Sequence, residues 1–290
     1  MTGLYIHSAS AFIGKAHADE KLLKEELRKY TPDNFRRVNR FILLALIGAR
    51  QCIHDHSIAG DTAVYLTTEY GNLSNTVAVL DEIYTAHSLP KPFSFINTMS
   101  NTAAFYLAQN LGIRGRSLTV SSQNLSFQRG IDLLMTDWSA CSVTSALIGG
   151  VDVSSLSEAG GDDRNARGWQ MVDGSGWFYV RTERKGACGV FRENRSFQDG
   201  ATCRKWIRDR KEPFEDLVAF GPSIGEKEAA EWRTALPTTD EFDYLGQYGY
   251  CGSAAACGIG MFVKRFRGRS LLHIDRNQLG NYAVIEVEVF

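Results

Sequence analysis

INTMSNTAAFYLAQNLGIRGRSLTVSSQNLSFQRG, residues 96–130, followed after a short gap by SALIGGVD, residues 145–152, decides the fold of this chain. Asn101–Leu111 is built from small and aromatic residues and reads as a helix, with Gly112 as its stop. Leu118–Ser122 (LTVSS) reads as a strand, and a helix from about Asn124 to Met135 follows at once. Ala146–Ile148 is a second short strand, ended by Gly149-Gly150. Short apolar strands alternating with helices predict an α/β fold whose sheet is covered on both faces.

Working outward, Leu4–Ile6 opens the chain as a short strand, and the charge pairs of Asp19–Tyr30 suit a helix. PDNFRRVNRFILLALIGARQCI, residues 32–53, reads as one long helix capped at Asp33 or Asn34; its middle is apolar all round and therefore buried. Thr62–Thr67 is a strand buried on both faces, Ser74 caps a helix reaching His87, and Phe93–Ile96 is short and extended. Downstream, residues 157–168 read as a polar loop, Gly176–Arg181 as a strand and Arg192–Gly200 as a turn region. Gly174 and Gly176 in DGSGW permit a tight start to that strand. Ala201–Lys211 is a basic helix, Leu217–Phe220 a strand, Lys227–Ala235 a helix, Gly252–Phe266 a closely packed helix, and Tyr282–Phe290 the final strand.

With 290 residues, 44% hydrophobic and 22% charged, the chain supports a sizeable core and is not a disordered segment. A formal net charge of -1 argues against a generally basic surface for nucleic acid. None of the six cysteines forms a CxxC pair, which fits neither a zinc site nor a disulfide scaffold and favours a reducing, cytoplasmic setting. The N-terminus lacks a basic segment followed by a long apolar run, and the apolar run Phe41–Ala49 is too short to span a bilayer. No metal or cofactor is expected: His54 and His56 have no evident third ligand, and the glycine-rich nucleotide, H-E-x-x-H and G-x-S-x-G motifs are absent.

The junction Ser121-Ser122-Gln123-Asn124 is where chemistry would be sought. Ligand sites of open α/β sheets lie beyond the carboxyl ends of strands, and a helix N-terminus there offers free N–H groups. The junction holds no thiol. By residue type Asn124 reads first as a helix cap, since an amide is neither nucleophile nor base. A serine such as Ser126 would need a neighbouring base. The acidic clusters at Asp162-Asp163, Glu226/Glu228 and Asp240/Glu241/Asp243 read as solvated loops. Two basic clusters stand out, Arg204, Lys205, Arg208, Arg210 and Lys211, then Lys264, Arg265, Arg267 and Arg269. They suit an acidic partner such as a carrier protein, or an ordinary charged surface.

Residues 96–152 resemble the core of a β-ketoacyl-acyl carrier protein synthase, a thiolase-fold family. That family shows a Pro-Asn helix start, then G-L-x-G-x-x-x-T-V-x-T-A-C-A-S-G, then A-L-x-G-G. Here stand Ser100-Asn101, Gly112-Ile113-Arg114-Gly115, Leu118 to Ser126, and Ala146 to Gly150. Weaker likeness extends over PDNFRRVNRFILLALIGARQCI, YLTTEYGNLSNT, DGSGWFYV (173–180), YGYCGSAAACG (248–258) and LGNYAVIEV. The resemblance implies one domain over residues 1–290, layered α/β/α/β/α, with an N-terminal half of 1–156 and an abbreviated C-terminal half of 157–290.

The departures carry the functional reading. Asn124 stands at the family's nucleophilic cysteine, Phe220 at the histidine of A-H-G-T-G-T, and Tyr250 at the second histidine. The resemblance therefore implies a catalytically inactive subunit, similar to the chain length factor that pairs with an active ketosynthase in polyketide or fatty-acid-like chain elongation. A shortened partner of this kind resembles the component of bacterial aryl polyene pathways. Its strand Leu118, Thr119, Val120, Ser121 and Ser122 would pair across the two-fold, while Thr98, Met99, Phe105 and Gln109 would line the acyl tunnel and Phe127 would fill the vestigial pocket beside it. Phe105 and Phe127 also suit an ordinary core. Two rival readings are a stand-alone acyl hydrolase or transferase using Ser126 or Cys251, and a non-enzymatic acyl-binding scaffold homodimer.

Overall fold

The structure, a computed structural model, describes residues 3–154, 168–210, 216–236 and 239–290. Among these, the elements run β1 (Leu4–Lys15), α1 (Glu20–Leu27), α2 (Arg40–Cys52), β2 (Ala63–Thr68), α3 (Leu73–Tyr84), α4 (Pro92–Ile96), α5 (Asn101–Leu111), β3 (Ser117–Ser121), α6 (Ser126–Ser139) and β4 (Ser145–Asp152). The second half continues with β5 (Val172–Arg181), β6 (Gly189–Phe197), α7 (Gly200–Arg208), β7 (Leu217–Phe220), α8 (Glu226–Ala235), β8 (Asp240–Glu241), α9 (Tyr244–Tyr248), α10 (Ala254–Arg265), β9 (Ser270–Arg276) and β10 (Tyr282–Val289).

The strands join in the order β3-β2-β4-β5-β1-β6-β10-β9-β7-β8. β2 runs parallel to β3 and β4, and β7 runs parallel to β9. β1 links the two halves: it pairs with β5 from Tyr5 to Lys15 and with β6 only over Leu4–Ile6. Side-chain alternation along each strand then sorts residues into three apolar layers. Val64 and Leu66 of β2 and Leu147 and Val151 of β4 face α2 and α5. Tyr65, Ile148 and Phe178 face the other way, onto α6 and α10, which also cover Leu271, Ile285 and Val287 of the second half. Val218, Leu272, Ile274 and Val284 point outward to α7 and α8. The stacking is helix, sheet, helix, sheet, helix, the thiolase-like layering implied by the resemblance.

Local chemistry explains the elements that match and those that differ. Every residue of β2 and β4 is buried, as a continuous apolar run between two layers requires. Gly112 ends α5 with a left-handed φ of 67°. α2 starts later than the composition suggests: Asn39 is its cap, its side chain accepting from Ile42 N at 3.2 Å, and Arg37 at φ 60° interrupts any helix begun at Asp33 or Asn34. Phe93–Ile96 is helical rather than extended, because Pro92 opens a short turn of helix. Arg192–Gly200 is mostly strand: β6 stays extended to Phe197 through its ladder with β10, despite its polar residues. β9 went unforeseen because His273, Asp275 and Arg276 break its apolar pattern. β5 lies beyond residue 157 in sequence yet pairs between β4 and β1. Gly174 and Gly176 lie within β5 rather than at its start. A Cβ on Gly176 would stand 2.5 Å from the Ala256 carbonyl carbon, so this glycine lets α10 lie against the sheet.

The loop read at 157–168 lies almost wholly outside the described residues, as do Asp162, Asp163 and Lys211. No helix among the described residues is long and apolar enough to cross a membrane.

Candidate functional site

The carboxyl ends of β2, β3, β4, β7 and β9 converge on the start of α6 and the loop before α10. At the β3–α6 turn Gln123 adopts φ 53°, a left-handed conformation unusual for a residue with a side chain. The turn therefore presents Asn124 sharply inward. Asn124 is buried and does not cap α6, whose cap position is Leu125. Its Nδ2 instead donates to Asp275 Oδ2 at 3.2 Å and to the Arg276 carbonyl at 2.5 Å. The expectation of a plain helix cap is thus corrected: the amide spans from the first half of the chain to the second.

Asp275 is fully buried at the end of β9. Its Oδ1 accepts from Arg276 N at 2.8 Å and Ser223 N at 3.3 Å. Burial pushes its carboxyl up to about 7, against the pull of these hydrogen bonds, and Glu69 nearby pushes it further. Asp152, fully buried at the end of β4, is likewise pushed up to about 7 by burial, opposed by hydrogen bonds from Glu69 N, Thr68 Oγ1 and Tyr70 N. Tyr250 is buried, and its hydroxyl donates to Glu69 Oε2 at 3.2 Å. Three carboxylates, an amide and a phenol thus occupy this junction. Sequence reasoning missed Glu69, Asp152 and Asp275. The available signal was an acid terminating an otherwise apolar strand, at the end where α/β sites lie.

Phe220 does not face this junction. Its ring belongs to the outer layer with α8, with the Arg233 guanidinium 5.9 Å from its centroid. The neighbouring Gly221 faces the site instead: a Cβ there would stand 2.1 Å from the Asp275 carboxyl carbon. Phe220 and Gly221, at the end of β7, thus face opposite sides, and it is the glycine that lies against the site.

Neither alternative nucleophile is poised. Ser126 Oγ has its one proton between the Thr68 carbonyl at 2.8 Å and the Gln123 carbonyl at 2.5 Å, and accepts from Ser122 N at 2.8 Å. Cys251 is buried 4.0 Å from the Cys257 sulfur, and that contact together with burial pushes its thiol well up. His273 is buried with Nε2 3.0 Å from the Tyr244 hydroxyl, and burial lowers it to about 3. His54 and His56 pack against different rings, Tyr30 and Tyr179.

The tunnel and interface candidates divide. Phe127 is packed in the core, its ring 5.5 Å from Phe178 and 6.4 Å from Phe191. Met99 and Phe105 are 50% and 63% exposed, large apolar side chains without cover in the single chain. Gln109, Ser121 and Ser122 are exposed, while Thr98, Leu118, Thr119 and Val120 are half-buried. β3 forms a free sheet edge. Leu73, Leu80, Phe95 and Ile96 add exposed apolar surface on α3 and α4. Of the basic residues, Arg204 is drawn inward, 3.7 Å from Glu231 and stacked over Trp232, whereas Lys205, Arg208, Lys264, Arg265 and Arg267 are exposed.

Comparison with known proteins follows the same lines. Residues 4–170 match the family described as Beta-ketoacyl synthase, N-terminal domain. No curated protein matches the sequence. Among solved structures, the ishigamide ketosynthase/chain length factor superposes with a TM-score of 0.79 at 15% identity, over 99% of each chain. A type II PKS acyl-carrier protein in complex with its ketosynthase bound to the hexaketide gives 0.71 at 10% identity, again over 99% of each chain. 3-Oxoacyl-[acyl-carrier-protein] synthase III from Aquifex aeolicus VF5 gives 0.60 at 13%, over 99% of this chain and 100% of that one. At such identities the likeness is one of fold.

Proposed function

The chain belongs to the β-ketoacyl synthase family, and from that premise we propose that it is a non-condensing subunit, akin to a chain length factor, acting beside an active ketosynthase in polyketide-type chain elongation. One observation carries the reading: Asn124, at the strand-to-helix turn, commits its amide to Asp275 and the Arg276 carbonyl. Acyl transfer at this turn needs a thiolate and a base. Here the position holds an amide, the nearby phenol is tied to Glu69, and the thiol of Cys251 is buried and held protonated.

The free β3 edge and the exposed Met99 and Phe105 support assembly with a partner. A naked edge strand invites pairing, and large exposed apolar residues invite cover. In the assembled pair the partner supplies the thiolate, the histidines and the oxyanion hole. This chain supplies scaffold and part of the acyl tunnel wall through Met99 and Phe105. The exposed Lys205, Arg208, Lys264, Arg265 and Arg267 suit steering of an acidic carrier protein. Bacterial aryl polyene synthesis is the pathway class this reading favours, resting on Asn124.

The test is co-expression with the ketosynthase encoded beside it, followed by assay with malonyl-carrier protein. The pair is expected to co-purify and elongate, and this chain alone is expected to do neither condensation nor thioester hydrolysis. Condensation by the isolated chain, or a labelled acyl group covalently attached to it during turnover, overturns the reading.

A further inference from the structure

The segment before α2, Asn75 of α3 and the start of α4 enclose an open pocket of about 680 Å³. That volume is within the usual range for small-molecule sites, roughly 300–1,000 Å³. Val38, Pro92 and Phe93 give it apolar walls, and Arg37 and Lys91 are its two charged residues. Both are cations, and neither has an acidic partner within ion-pair distance among the described residues. The Arg37 guanidinium lies 4.7 Å from the Phe93 ring centroid, so charge and aromatic face form one wall.

Two further features belong to the pocket wall. Asn97, only 5% exposed, lines the pocket; its Nδ2 donates to the Arg37 carbonyl at 2.9 Å, while its Oδ1 has no hydrogen-bond partner among the described residues. That oxygen is closed off from solvent, so it belongs to the packing behind the pocket wall. Arg37 itself adopts φ 60°. A bulky side chain in that conformation is uncommon, and such strain recurs at ligand clamps.

We propose that this pocket binds a small apolar molecule ending in an anionic group, the apolar body lying on Val38, Pro92 and Phe93 and the anion meeting Arg37 and Lys91. The planar guanidinium favours a carboxylate through paired N–H contacts, and the ammonium adds a second charge. The inference does not depend on the proposed role in chain elongation, because it uses none of the residues at the β3–α6 junction.

Calorimetry on the full chain, repeated on its complex with the ketosynthase, tests it with three probes sharing one body: octanoate, octyl phosphate and 1-octanol. Octanoate is expected to bind once per chain, and 1-octanol at least about tenfold more weakly, since a charged hydrogen bond separates them. Octyl phosphate equal to octanoate supports the site with either anion, and octanoate the stronger supports it with a carboxylate. The double variant Arg37→Gln/Lys91→Gln changes two exposed side chains and is expected to fold while weakening octanoate by about tenfold or more. In NMR spectra the Asn97 side-chain amide should shift on titration. Failure of octanoate to bind, equal binding of 1-octanol, or unaltered affinity in the double variant overturns the proposal.

Discussion

Asn124 donates to two acceptors, Asp275 Oδ2 and the Arg276 carbonyl, to which no other side chain among the described residues donates. Its replacement therefore tests chemistry and stability together. Asn124→Cys restores a sulfur but no base: His273 is turned to Tyr244, and the Asp275 carboxylate beside the new thiol would hold its proton on. The expected outcome is no condensation by the isolated variant, and alkylation of residue 124 slower than that of the exposed Cys141. It is read by malonyl-carrier protein assay and by mass-resolved alkylation. Lost hydrogen bonds to one buried and one half-buried acceptor should also cost about 1–3 kcal/mol in urea unfolding. A pH prediction follows from Asp152 and Asp275, both raised to about 7 by burial. Unfolded aspartates titrate near 4, so from about pH 4 to 7 the folded state binds the extra protons. Stability contributed by these groups is present below pH 4 and is lost as pH rises to 7, at up to about 1.4 kcal/mol per unit for each. Asp275→Asn should flatten that decline, measured as melting temperature against pH; an unaltered slope counts against burial as the cause.

Elements whose register depends on their own residues were legible before the fold was known. AVYLTT is apolar on both faces and became a strand buried on both; NTAAFYLAQNL followed by Gly112 became a helix with a left-handed stop. Elements held by neighbours were not. β6 carries Arg192, Glu193, Asn194 and Arg195 and looks like a turn, yet β10 keeps it extended. The role of Gly176 was misread for the same reason, because its crowding comes from α10, distant in sequence. Gly176→Ala drives a methyl into the Ala256 backbone, which cannot yield as a flexible side chain would, and should cost about 1–3 kcal/mol or more in chemical denaturation. Phe127→Ala empties a place between Phe178 and Phe191 and should cost about 3–5 kcal/mol. If Phe127 lined a tunnel instead, the variant would change product length while leaving the melting curve in place.

Across the whole molecule, the site was half legible. Asn124 and Tyr250 stand in recognisable local motifs, whereas Glu69, Asp152 and Asp275 come together only because β2, β4 and β9 end at one place, and no local pattern encodes that meeting. The surface proposed to face a partner shows the same division. β3 was legible as a strand needing a neighbour, but the exposed apolar residues of α3 and α4 emerge only once the sheet order leaves that side of the molecule uncovered. Met99 and Phe105 join the two scales, since neither is packed in this chain and both would be packed in an assembly. Met99→Ala and Phe105→Ala should therefore leave the melting temperature of the isolated chain within about 0.5 kcal/mol equivalent of the parent, as expected of surface positions. In the complex with the ketosynthase they should lengthen the product, because a smaller side chain at a tunnel wall leaves room for more of the acyl chain. Product length is read by mass spectrometry and complex formation by co-purification. Unaltered product length in an intact complex would remove both residues from the tunnel wall while leaving the heterodimer standing. Loss of co-purification would assign them to the subunit contact instead.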